Sequence, residues 1–193
     1  RIPVIFLFGD LAASGGYYIA STADHIVANP ATLTGSIGVI METYNLEGLY
    51  DKLGISKYTF KKGDYKDMFN EARPISDEEK RLLDTLNQDI YDLFLHRVAN
   101  GRHMKLDQVK ALANGRIYSG KQAKENGLVD SLGNLDQAIA KAKELAKLNT
   151  FQVVEYESTS FFKEFFSATK AAFAPQVSLQ DLLGTQSNWE IRN

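Results

Sequence analysis

The sequence predicts an α/β domain, and three observations carry that expectation. Short apolar runs bounded by glycine, proline or asparagine recur along the first half, as at residues 4–8 and 24–29. Between and after them come segments with apolar residues at helical spacing, most plainly from Leu82 to Val98. The 193 residues, 44% of them apolar, are enough for one globular domain with a sizeable core. Strands alternating with helices place such a core in an α/β architecture.

Taken in order, residues 4–8 (Val-Ile-Phe-Leu-Phe) read as a strand. They lead into Asp10-Leu11-Ala12-Ala13-Ser14-Gly15-Gly16-Tyr17-Tyr18-Ile19-Ala20, which turns and continues as a helix. Residues 24–29 are a β-like run ended by Asn29-Pro30. At residues 34–40 a glycine-punctuated turn is expected to open another apolar strand. Leu46, Leu49, Tyr50 and Leu53 predict a short helix stopped by Gly54, and residues 56–61 alternate like a strand with Tyr58 and Phe60 on one face. Ser76 with Glu79 three residues on is a capping box. Behind it Leu82, Leu86, Ile90, Leu93, Phe94 and Val98 form one stripe of a long helix closed by Asn100-Gly101. Two shorter helices should end at Asn114-Gly115 and Asn126-Gly127, followed by a short strand and turn over residues 128–133. A helix over residues 135–148 and a strand over residues 151–157 complete the first part.

The organisation expected is a domain at residues 1–157 and a distinct segment at residues 158–193. In the latter, Phe161, Phe162, Phe165, Phe166 and Phe173 crowd a short amphipathic stretch ahead of Pro175 and a polar tail. So apolar a segment should pack on its own domain, on a neighbouring subunit or at a membrane surface. The net charge of −2 gives no electrostatic case for nucleic acid or an anionic membrane. The absence of cysteine excludes disulfides, thiolate catalysis and cysteine-ligated zinc. No run reaches the roughly 20 apolar residues of a membrane span, and no signal peptide is visible. Because Arg1 opens almost directly into an apolar strand, the chain is expected to be a piece of a longer protein.

Ser14, between Ala12-Ala13 and Gly15-Gly16, suits a nucleophile: small neighbours admit a substrate backbone, and helix-terminal N–H groups can face an oxyanion. The same residues also suit a plain strand-to-helix packing turn. A nucleophile needs a base. His25 lies in an apolar strand, His96 on the long helix and His103 in a loop, and none has the context of a base. A desolvated lysine can serve instead. Lys66, between Tyr65 and Asp67, is one candidate, and local chemistry alone separates it little from Lys61 or Lys62. No constellation of His, Asp and Glu has metal-ligand spacing, and no phosphate-loop pattern accompanies the glycines, so neither metal nor cofactor is expected.

Residues 12–20 and Thr34-Gly35-Ser36-Ile37-Gly38-Val39 resemble the motifs of the signal peptide peptidase A family, the protease IV-type Ser-Lys peptidases. The resemblance continues through Gly63-Asp64-Tyr65-Lys66-Asp67, then residues 115–123 and 127–133, covering roughly residues 4–148. It implies Ser14 as nucleophile, Lys66 as general base, Ser36 as the hydroxyl that orients the lysine, and the Gly15 N–H as an oxyanion donor. It also implies a ClpP/crotonase-like fold of stacked β-β-α units, here N-terminally truncated, in which the second oxyanion donor and the membrane anchor would lie upstream of Arg1. Members assemble into rings or domes whose active sites are sometimes shared between neighbours. The expected partners are therefore signal peptides and further copies of the chain, and the expected place is the cell membrane with the catalytic domain on its extracytoplasmic side. The rival readings are a non-catalytic scaffold that keeps the peptidase fold and a crotonase-type acyl-CoA enzyme.

Overall fold

A computed structural model describes residues 1–156. It divides into two units, Arg1–Asn149 and Thr150–Asn193. Among the described residues, the regular elements lie in the first unit in the order β1 (Ile5–Phe8), β2 (Leu11–Ala13), α1 (Gly15–Ala20), β3 (His25–Ala28), β4 (Leu33–Gly35), α2 (Glu47–Leu53), α3 (Asp77–Gly101), α4 (Leu106–Leu112), β5 (Ile117–Ser119), α5 (Gly120–Glu125), β6 (Ser131–Leu132) and α6 (Leu135–Leu145). The α/β class predicted from the sequence is what the chain adopts.

The strands form two small sheets. One has the order β1-β3-β6 and is parallel throughout, with Ile5 opposite His25 and Val27 opposite Ser131. The other has the order β2-β4-β5, in which β2 and β4 are parallel and β5 runs antiparallel to β4. Successive strands β1 and β2, then β3 and β4, therefore pass from the first sheet to the second. The core gathers Phe8, Ile26 and Ala28 from the first sheet, Tyr17 from α1, and Phe94, Leu95 and Val98 from α3. Tyr17 is fully buried, and its hydroxyl donates to the Leu128 carbonyl at 2.8 Å, which satisfies its one polar group in the core.

The capping box of α3 forms as expected: Ser76 accepts from the Glu79 N–H, and Glu79 accepts from the Ser76 N–H. The same device starts α5 at Ser119 and Gln122, and α6 at Asn134 and Gln137. Gly54 stops α2 in the left-handed conformation, φ 67°. The long helix ends at Gly101 as predicted, and Gly101 has a second role there. It is the last residue of α3, and a Cβ there would sit 2.1 Å from the Ser21 carbonyl oxygen and 2.7 Å from its carbon. Alanine usually improves a helix by up to about 1 kcal/mol over glycine. Here overpacking against backbone reverses the sign, and Gly101→Ala is expected to destabilise by about 3 kcal/mol. Denaturant midpoints decide this, and a variant as stable as the parent would show that α3 does not need the close approach.

Four expected elements differ. The strand predicted within residues 34–40 lies before the glycine turn, at Leu33–Gly35, because β2 and β5 are available there as ladder partners and none of the described residues pairs with Gly38 to Ile40. Residues 56–61 form no strand; Tyr58 is exposed and Phe60 is 97% exposed, since no neighbouring strand offers a ladder. Residues 151–156 form neither strand nor helix, for alternation alone supplies no pairing partner. The stripe on α3 is only half a core face: Phe94 and Val98 are buried, whereas Leu82, Leu86, Ile90 and Leu93 are exposed. The strand β5 was not anticipated as a separate element. The phenylalanine-rich segment at residues 158–193 lies outside the described residues. Among those described, no helix is long and apolar enough to cross a membrane.

Candidate active site

β2 and β4 lie side by side and parallel, Ala12 opposite Thr34 and Ala13 opposite Gly35, and a serine follows each strand. Ser14 has φ 51° and ψ −118°, and Ser36 has φ 49°. Such a backbone costs a residue with a Cβ roughly 1–3 kcal/mol and persists only where its surroundings fix it. They do so here. The Ser14 N–H donates to the Gly35 carbonyl at 2.8 Å, and the Ser14 carbonyl accepts from the Tyr18 N–H at 2.8 Å. The Ser36 N–H donates to the Arg116 carbonyl at 2.9 Å, which ties the second turn to β5. Gly35 itself has φ 79°, and a Cβ on it would meet the Tyr118 ring at 2.6 Å. Both serines thus stand beyond the C-terminal ends of neighbouring parallel strands, where open α/β sheets tend to bind ligands.

Ser14 precedes α1 but does not cap it with its side chain, so its hydroxyl is exposed and has no hydrogen-bond partner among the described residues. The Gly15 N–H is likewise without an acceptor. Both residues line a cavity of about 440 Å3 whose walls are Tyr18, Val39, Ile40, Ile90, Leu93 and Phe94, with Gly38 completing the lining. Tyr18 meets Phe94 edge to face at 5.2 Å, and the Arg97 guanidinium lies over the Tyr18 ring, 5.8 Å from its centroid. These contacts fix α1 against α3. The amides and carbonyls of Gly38, Val39 and Ile40 have no hydrogen-bond partner among the described residues. The sequence signal for this wall was the α3 stripe, which runs further than its own core needs.

Lys66 is exposed in the turn region before α3 and lines a different cavity, of about 460 Å3, together with Lys57, Tyr65, Asp67 and Phe69. No hydrogen bond joins Lys66 to Ser14 or Ser36 within one copy of the chain. The structure therefore brings Ser14, Gly15 and Ser36 into one neighbourhood and leaves Lys66 in another. It also separates the lysines: Lys57 pairs with Glu71 at 2.8 Å and Lys61 with Asp67 at 2.7 Å, whereas Lys66 makes no ion pair among the described residues. None of the histidines lines the Ser14 cavity; His25 Nε2 faces Ser131 Oγ at 2.9 Å, and burial lowers its pKa.

Sequence reading missed the group that holds the Lys66 turn. Arg73 donates to the Asp67 carboxylate and carbonyl and to both oxygens of Glu79, joining that turn to the first turn of α3. The Arg73 guanidinium, followed by the Lys61 ammonium, holds the Asp67 carboxyl well below the usual range. Arg73 and then the Ser76 N–H lower the Glu79 carboxyl from 4.5 to about 2. A depressed carboxyl contributes its stability fully above its unfolded value and loses it as pH falls through the folded one. The melting-temperature gap between the protein and Glu79→Gln is therefore expected to hold above about pH 5 and to narrow as pH falls toward about 2. A gap that is constant over that window would mean Glu79 is not ionised in the folded state.

The sequence model described as Peptidase family S49 matches residues 1–149. The chain is 43% identical over 172 residues to an Enterococcus faecium protein named for signal peptide peptidase SppA, covering 89% of the chain and 50% of that protein. It is 44% identical to the chloroplastic serine protease SPPA of Arabidopsis thaliana, over 76% of the chain and 22% of the relative. Against protease 4 of Salmonella typhi it is 37% identical, over 80% of the chain and 25% of the relative. The chain thus spans half or less of the length of these relatives. With the family match running from Arg1 through α6, the chain belongs to peptidase family S49.

Proposed function

We propose that this chain is the catalytic part of a serine endopeptidase that degrades cleaved signal peptides and other unfolded peptides. The observation that carries the reading is the presentation of Ser14: an exposed, unpartnered hydroxyl on a left-handed turn between strand and helix, at the mouth of an apolar cavity. Strain of this kind, held in place by its neighbours, is how a nucleophile is kept in a single orientation. Lys66 takes the proton of Ser14 as the hydroxyl attacks the scissile carbonyl and returns it to the leaving amine. Ser36 orients the lysine, and the Gly15 N–H stabilises the oxyanion. The unpaired backbone from Gly38 to Ile40 suits an extended peptide laid along it as an added strand, with an apolar side chain in the cavity.

Since Ser14 and Lys66 line separate cavities, the proton relay in this reading joins two copies, Ser14 of one and Lys66 of its neighbour. The exposed Leu82, Leu86, Ile90 and Leu93 on α3 are consistent with a chain that packs on another copy. The passage of successive strands between two sheets supports the stacked β-β-α, ClpP/crotonase-like architecture, with residues 1–157 as the catalytic domain and residues 158–193 as an appendage. A site at the cell membrane on its extracytoplasmic side goes with these substrates. The test is hydrolysis of a fluorogenic peptide with small and apolar residues, comparing the protein with its Ser14→Ala variant. Turnover that survives the change overturns the reading, and a folded oligomer with no turnover in any form favours the scaffold.

A further inference from the structure

A second cavity, of about 400 Å3, adjoins the one at Ser14, and Gly38 and Val39 line both. Its character is different. Asp84 and Asn87 stand one turn apart on α3 and both face it. The Asn87 Oδ1 is shielded from solvent and has no hydrogen-bond donor, the one such side-chain atom among the described residues. Leaving a buried acceptor unmet costs about 1–3 kcal/mol, so such an atom calls for a partner. The Asp84 carboxylate is exposed to solvent and makes no ion pair or hydrogen bond among the described residues, and no lysine or arginine lines the cavity. Other polar groups there are engaged: the Tyr91 hydroxyl donates to the Ala113 carbonyl at 2.6 Å, and Asn114 Oδ1 accepts from Arg116 Nε at 2.8 Å.

We infer that this cavity is a subsite for a lysine or arginine side chain of the bound peptide, read by the Asp84 carboxylate and the Asn87 carbonyl oxygen. A solvent-facing carboxylate with no protein partner, one turn from a shielded acceptor with no donor, suits a cationic donor, and a chain lying along Gly38 and Val39 places neighbouring side chains in both cavities. The inference rests on the reading of Ser14 as a peptidase nucleophile. The enzyme then selects peptides that carry a basic residue near an apolar one, rather than uniformly apolar segments.

Internally quenched peptides with lysine, arginine or norleucine at each position around the cleavage point test this. Norleucine keeps the stem and removes the charge. One position is expected to favour lysine over norleucine about five- to tenfold in kcat/KM, as a partly exposed charged pair allows. Asp84→Asn and Asn87→Leu should each bring that ratio toward one, and the preference should weaken with added salt. No position favouring a basic residue, or a preference untouched by both variants, overturns the inference. Binding of the same peptides to Ser14→Ala, followed by calorimetry, keeps the test independent of turnover. If no peptide is cleaved but lysine still binds better through Asp84, the nucleophile assignment fails and the subsite stands; if the two peptides bind alike, the subsite fails.

Discussion

Replacing Ser14 by alanine is expected to lower kcat for peptide hydrolysis by about 10^6-fold, the scale on which loss of a serine nucleophile acts. Fold stability should move by less than about 0.5 kcal/mol, because the residue is exposed and its hydroxyl makes no hydrogen bond among the described residues. Those two results together separate a chemical role from a structural one. Ser14→Gly sharpens the comparison. It removes the same hydroxyl but also relieves φ 51°, so it should be equally inactive and more stable by about 1 kcal/mol. Initial rates on a fluorogenic peptide and denaturant midpoints on the same preparations give both readings. Activity of Ser14→Ala within tenfold of the parent would remove Ser14 from the mechanism.

Lys66→Ala should lose activity to within about tenfold of the Ser14 variant, since a nucleophile and its base act as a unit. Its position in the structure adds a stronger test. If the pair is completed between copies, mixing the two inactive variants and allowing subunits to exchange should restore about a quarter of the parent activity, the share of head-to-tail contacts in which both intact residues meet. A pair contained within one copy would stay inactive in every mixture. A lysine base works only without its extra proton, so the parent rate should also climb from neutral into alkaline pH, and a profile peaking in acid would contradict the assignment.

Local chemistry was legible wherever one short segment sets its own conformation. The capping box at Ser76 and Glu79 and the left-handed stop at Gly54 follow from interactions within four residues, and both form as expected. The strand-to-helix turn at Ser14 was readable for the same reason, although β2 came as an additional short strand. Features that depend on distant partners were not legible. Residues 56–61 alternate as a half-buried strand would, yet they have no neighbour with which to pair, whereas β1, a continuous apolar run, has β3. Gly101 was legible as the end of α3, but its contact with Ser21, eighty residues away in the chain, was not. The site shows the same division. The small residues around Ser14 mark its turn locally, but the Gly35 carbonyl that holds it, the cavity wall from α3 and the Arg73 clamp on the Lys66 turn are invisible without the fold.

The unpaired backbone at Gly38 to Ile40 has a consequence for solubility. Ile40 is exposed and the adjoining cavity is lined by Ile90 and Leu93, so an empty groove combines open amides and carbonyls with apolar side chains, the combination that recruits strands from other molecules. The left-handed turn at Ser36 and the glycine at position 38 keep this open edge only a few residues long. A longer, straighter edge would hold a substrate more firmly but would also aggregate when empty. The brevity of the edge therefore reads as a compromise between capturing unfolded chains and being captured by them.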